Sequence, residues 1–334
     1  MRLLAKIMVV VSLAIIPATC GPPPGRPNQS KPSAVQPDSC GKIDTNDTGR
    51  KLYAFLKASA ALDGEVAGLY RDAKRACLAM AEKLQLPNEQ RNGDLGFVCK
   101  NVAKEIHDGL ANGFEGEYKM TVEYKPAVCT VDVDVAASAT ASCEGKAKAD
   151  ISVSCEGSCS GSCNGECEGT CAAKNASGQC AGQCNGTCKG SCSGSCQGSA
   201  DVDAEVECKA AAEIDANINA TCTDPVFETK WEEPRAKDPA RLKRIDAALA
   251  IGIPAIGKIW AKATGPTAHA VASWVKATGQ LAAASGKLVK SLGEAGVCVA
   301  GQITAAFEAM ARVQADISVT VEVSVSVTGS AGVH

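Results

Sequence analysis

Residues 155–196 read CEGSCSGSCNGECEGTCAAKNASGQCAGQCNGTCKGSCSGSC, two runs of Cys-x-Gly-x-Cys separated by an eight-residue loop. The first run places cysteines at 155, 159, 163, 167 and 171, and the second at 180, 184, 188, 192 and 196. Asn175, Ser177 and Gly178 in the loop are turn formers. Folding the chain at Asn175-Ala176 sets Cys171 opposite Cys180, Cys167 opposite Cys184, Cys163 opposite Cys188, Cys159 opposite Cys192 and Cys155 opposite Cys196. A periodic array folded at its middle always does this. The test lies outside it, where Cys143 mirrors Cys208 and Cys129 mirrors Cys222 about the same point. The offsets are 12 and then 14 residues on both arms, and 14 is no multiple of the repeat.

Side-chain alternation points the same way. On the first arm Val131, Val133, Val135, Ala137, Ala139, Ala141, Ala147, Ala149, Ile151 and Val153 share the parity of the cysteines, and the intervening residues are mostly polar. On the second arm parity reverses, as mirror pairing requires, with Val202, Val206, Ile214 and Ile218 joining the cysteines. A period of two is a β signature. The reading is an antiparallel β-hairpin over 117–222 with a Cys-rich tip at 155–196. Fully extended, each arm would reach about 140 Å at 3.3 Å per residue. Directly opposed residues in a non-hydrogen-bonded antiparallel pair have Cα atoms roughly 4.5 Å apart, which suits disulfides. Cysteines four apart on a flat strand are about 13 Å apart, too far to share one zinc ion. The intervening Gly leaves room for sulfur on that face and weakens an unlinked strand.

The remaining chain reads as helices around this arm. Leu52, Phe55, Leu56, Leu62, Val66, Leu69, Ala73, Cys77 and Met80 fall at helical spacing, with Ser59 interrupting the stripe. Pro87-Asn88 ends that helix, and Val98, Val102 and Ile106 continue in a second. Together they form an αα-hairpin over 46–116, tied by Cys77–Cys99. Met120, Val122 and Tyr124 form an approach strand whose parity shifts at Pro126, as a bulge would cause. Asp238-Pro239 opens C-terminal helices over 223–314, with breaks expected near Pro254, Gly265-Pro266 and Gly293–Gly296. The alternation of Ile317, Val319, Val321, Val323, Val325 and Val327 with polar residues predicts a strand over 315–328, third in the sheet. By elimination Cys40 pairs with Cys298. The fold class is therefore α+β: a helical body, a disulfide-laced hairpin and a C-terminal strand.

At the N-terminus Arg2 and Lys6 precede the apolar run Ile7–Ile16, which ends at Pro17-Ala18-Thr19-Cys20. This predicts a signal peptide over 1–19, with Cys20 as a lipidated first residue; ordinary cleavage near Ala18 is the alternative. Gly21 after that cysteine fits sorting to the outer membrane of a Gram-negative bacterium. Residues 20–45 are rich in Pro and read as a solvated tether. The signal region and the Cys-x-Gly-x-Cys arrays together resemble the cysteine-rich lipoprotein-like proteins predicted in myxobacteria, a resemblance that implies no activity.

The 34 basic and 37 acidic residues nearly cancel and aromatics make up 4 %, which argues against nucleic acid as a partner. His107, His269 and His334 lie in unrelated contexts, and no catalytic or phosphate-binding motif occurs. The basic cluster Lys230, Arg235, Lys237, Arg241, Lys243 and Arg244 reads as a solvated helix face. The sequence thus predicts a non-enzymatic envelope lipoprotein without metal or cofactor. It would contact the membrane through its lipid and an envelope or extracellular protein or polysaccharide through its arm. Thiolate metal binding or redox buffering is a second reading, and a membrane-inserting hairpin a third.

Overall fold

The computed structural model describes residues 35–114, 119–159, 161–232, 236–291 and 295–330. The signal peptide and Cys20 lie outside them. A single long helix, α1 (Asp47–Lys83), is the spine of the body. Asn46 caps it by accepting a hydrogen bond from the Gly49 amide at 2.8 Å. A short turn, α2 (Asn88–Arg91), leads to α3 (Leu95–Asn112), whose N-cap Asp94 accepts from Phe97 N at 2.9 Å. Cys77 and Cys99 are bonded between α1 and α3, with Cα atoms 5.2 Å apart.

Three helices complete the body: α6 (Pro239–Thr264), α7 (Pro266–Ser291) and α8 (Ala295–Ser330). Asp238 caps α6 by accepting from Arg241 N at 2.9 Å. Pro254 does not break α6, contrary to expectation; burial of Ile253 and Ile256 on either side holds the turn despite the missing donor. Two cores result. The C-terminal half of α1 packs with α3, α6 and the end of α8. Its N-terminal half packs with α7 and the first part of α8. Ser59, the polar gap in the α1 stripe, is the partner of Trp274: the indole Nε1–H donates to Ser59 Oγ at 2.7 Å, and Ser59 donates to Phe55 O at 2.8 Å.

Two expectations about the termini are corrected. Residues 315–328 are the second half of α8, not a strand. Three hydroxyls of this stretch bond back within the helix: Ser318, Ser324 and Thr328 donate to the carbonyls of Gln314, Thr320 and Ser324 at 2.7–2.8 Å. Val323 and Val327 then enter the first core. The tether, too, is docked from Val35 onward. Val35 and Ile43 are buried in the second core, and Cys40, in a 3₁₀ turn (Pro37–Cys40), is bonded to Cys298 of α8.

The arms depart from a continuous hairpin but keep its mirror. At the base β1 (Lys119–Lys125) pairs antiparallel with β8 (Val226–Glu232), Lys119 opposite Glu232 and Lys125 opposite Val226. Next, β2 (Cys129–Asp132) meets β7 (Thr221–Cys222), with Cys129 opposite Cys222. Both pairings are symmetric about Asn175-Ala176. The segments around Pro126 and Pro225 have equal length, so the expected bulge is absent from the register.

Beyond this the alternating valines, alanines and isoleucines at 133–141 and 206–218 are helical. Helix α4 (Val133–Glu144) and helix α5 (Val206–Ile218) are joined by Cys143–Cys208, with Cα atoms 5.5 Å apart. Alanine is the strongest helix former, and its small side chain fits a helix face as readily as a strand face. Asp132 starts α4 by accepting from Asp134 N at 2.9 Å, and Gly145 ends it at φ +69°. The buried set becomes Val133, Ala136, Ala137, Thr140 and Cys143, a helical rather than an alternate spacing. Just past α4, Lys146 and Lys148 bind within their own arm, Lys146 to Glu144 at 2.9 Å and Lys148 to Asp134 at 3.6 Å.

Candidate functional site: the cysteine-lined coil

The Cys/Gly region contains β3 (Val153–Cys159), β4 (Ser162–Cys171), β5 (Cys180–Cys192) and β6 (Ser195–Val202). They belong to one sheet in the order β4-β5-β3-β6-β2-β7. Cys155 has Gly190 of β5 beside it on one edge and Ala200 of β6 on the other, ten positions apart. Cys163 likewise lies between Gly182 and Cys192, again ten apart. From Glu166 to Cys171 the partners descend from Lys189 to Cys184, so the two arms run in opposite directions. Each arm is thus flanked on both sides by the other. The two arms wind round each other as a double-stranded coil with ten residues of each arm per turn.

This geometry corrects the flat ladder. In the coil the hydrogen-bonded registers are symmetric about Ser177-Gly178 and Ala172-Ala173, and the disulfides about a point between them. The sulfurs therefore bridge the interior instead of joining directly opposed residues. Cys155–Cys196, Cys163–Cys188, Cys167–Cys184 and Cys171–Cys180 have Cα separations of 6.4, 6.1, 6.0 and 5.8 Å. Cys129–Cys222, at 4.0 Å, is directly opposed as expected of a β pair. Seven of the coil cysteines are buried with Val131, Val153, Val202, Ala212 and Ala216, so sulfur supplies much of this core. Alternate residues, among them Ser158, Asn164, Glu168, Asn185 and Lys189, are exposed.

The glycines serve a purpose different from leaving room for sulfur. Gly169 faces Gly186, and Gly165 faces Gly190. All four have φ between +154° and +158°, a region open to glycine and strained for other residues. A Cβ on Gly165 would lie 2.9 Å from Gly190 Cα and closer still, 2.5 Å, to the backbone oxygen of Lys189. Backbone-to-backbone approach at every fourth residue permits so tight a winding.

At the tip Asn175 organises the loop. Its Oδ1 accepts from Ser177 N and Gln179 N, both at 3.0 Å, and its own N–H donates to Gln179 O at 2.8 Å.

One expected bond is missing. Cys159 and Cys192 are thiols, and among the described residues they are the only cysteines outside a disulfide. Their rung falls where both arms are interrupted, between β3 and β4 on one and β5 and β6 on the other. There Gly194 has φ +98° instead of the value near +155° found in regular turns. Cys192 Sγ turns along its own arm to lie 3.4 Å from Cys188 Sγ. Burial, and then the neighbouring Cys159 thiol, push the Cys192 thiol up to about 12. The 3.4 Å approach also shows that cysteines four apart can meet in a coil, so the flat-strand argument against shared ligation does not hold here. No sequence signal marked this rung, because its repeat is identical to its neighbours.

Among the described residues no group of three or more His, Cys, Asp or Glu side chains could hold a metal ion. His107 and His269 stand on different helices, α3 and α7. From the basic cluster the half-buried Arg241 clasps Glu105 through two hydrogen bonds of 2.8 and 2.9 Å. Eight disulfides are the mark of a non-cytoplasmic, oxidising compartment. Among the described residues no helix is long and apolar enough to cross a membrane. No protein-family model matches the chain, nor does any curated protein or any solved structure.

Proposed function

We propose that the protein is a non-enzymatic component of the cell envelope, anchored through a lipid on Cys20, that holds out a stiff coil for spacing or contact. The observation that carries this reading is the covalent coupling of the two arms: six disulfides join them at intervals from Cys129–Cys222 to Cys171–Cys180. A bare two-stranded ribbon is marginal in water, and cross-links of roughly 2–4 kcal/mol each are the way to hold one without a large core. The coil's outer face carries Ser, Asn, Glu, Thr and Lys, side chains suited to polar contact with an envelope protein or polysaccharide.

Anchoring and stiffness are tested together on the full exported chain. The wild type should partition into a detergent phase, and Cys20→Ala should move to the aqueous phase. Residues 155–196 should resist a broad-specificity protease until a reductant is added, then be cut first. Aqueous partitioning of the wild type would overturn the anchor, and equal cleavage with and without reductant would overturn the stiff coil.

The membrane-inserting alternative is the less favoured reading, since the apolar face it required is divided between α4, α5 and the coil interior. The redox alternative gains one observation, the Cys159 and Cys192 thiols.

A further inference from the structure

The coil contains five cysteine rungs, four closed and one open. The open one joins residues of unequal access: Cys159 is buried and Cys192 is partly exposed. Cys192 also has a disulfide sulfur, Cys188 Sγ, 3.4 Å away. Two neighbouring thiols of unequal access, beside bonds already formed, have the arrangement of a dithiol that opens and closes while its surroundings stay fixed.

We propose that Cys159 and Cys192 are a redox site, a dithiol–disulfide couple that takes a small disulfide as oxidant and a small thiol as reductant. Cys192, the accessible member, loses its proton and attacks the small disulfide; one sulfur of that reagent is retained as a mixed disulfide and the other leaves as a thiolate. Cys159 then loses its proton and attacks Cys192 Sγ, expelling the second reagent thiolate. Two electrons and two protons pass to the reagent, giving two molecules of small thiol and a Cys159–Cys192 bond. Reduction runs in reverse. Because the thiolate is the attacking species and burial keeps the Cys192 thiol protonated at neutral pH, closure accelerates as pH rises. Closing the rung locks the one interrupted turn of the coil.

The test uses the full chain, exported natively and equilibrated with graded mixtures of reduced and oxidised glutathione, then acid-quenched, alkylated and peptide-mapped. Two alkylated cysteines, Cys159 and Cys192, are expected at the reduced end, and a Cys159–Cys192 bond at the oxidised end. The eight other disulfides should be unchanged throughout. Cys159→Ser should stop at a glutathione adduct on Cys192. The proposal is overturned if both thiols stay alkylatable across the series, or if they are bonded to each other at every ratio. Loss of the other disulfides over the same range, or no adduct on Cys159→Ser, would overturn it too.

Discussion

Gly169 and Gly186 face each other across the two arms, each so close to the opposite backbone that a methyl group on either would fall on a carbonyl oxygen, of Asn185 in one case and of Glu168 in the other. Neither oxygen belongs to a side chain that could rotate away. Gly169→Ala should therefore cost on the order of 2–3 kcal/mol in urea unfolding under non-reducing conditions, as overpacking against rigid atoms does. Gly64→Ala, in α1 with open space around it, should instead gain roughly 0.5–1 kcal/mol. Equal effects at the two positions would remove the close-approach account of the repeat.

Thr320 in α8 is 1 % exposed, and its hydroxyl has no hydrogen-bond partner among the described residues. Thr320→Val keeps the shape and the branching while removing the unsatisfied group. The expected result is a gain of about 1 kcal/mol, read as a higher thermal midpoint. A loss would argue that residues 315–328 are not packed as this helix.

Ser59 makes the opposite case, because its hydroxyl serves two partners inside the core. Ser59→Ala strands the Trp274 indole N–H and should cost about 1–3 kcal/mol. Near-ultraviolet circular dichroism of the tryptophans reports whether Trp274 moves with it.

Burial raises the carboxyls of both Asp215 and Asp316, with the Asp63 carboxylate adding to the effect at Asp316. A raised carboxyl means the folded chain holds its proton more tightly than the unfolded one. Its contribution to stability is greatest below the ordinary value of 3.8 and is lost as pH rises through the raised folded value. Asp215→Asn should accordingly stabilise the protein at pH 7 and leave it unchanged at pH 3, as measured by urea unfolding at the two pH values.

Removing the Cys40–Cys298 bond with Cys40→Ser and Cys298→Ser together should cost roughly 2–5 kcal/mol, since the link closes a separation of 258 residues. Hydrogen exchange should show residues 35–46 losing protection before α1 does.

Much of this architecture is legible in the sequence. The helix start at Asp238, the α1 stripe and the mirror point at Asn175-Ala176 all lie open to reading, because each rests on local chemistry or on symmetry. The mirror extends further than the cysteines show, to Lys119 opposite Glu232. What escapes is whatever alanine leaves ambiguous. In α4 and α5 the same residues satisfy a period of two and a helical face, and capping by Asp132 decides the matter locally. The end of α8 misleads for a related reason, since Ser and Thr can bond back to the preceding turn. The coil was illegible in a different way: cysteine spacing fixes which sulfurs meet and says nothing of which backbones pair.

The position of Cys129–Cys222 has a mechanical consequence. It is the first covalent link met by any tension that enters the two arms from β1 and β8. A pull applied at Lys125 and Val226 passes across that bond and goes no further, so α4, α5 and the whole coil lie off the load path. The base strands can be peeled apart while everything beyond them stays slack, as a seam holds beyond its last stitch.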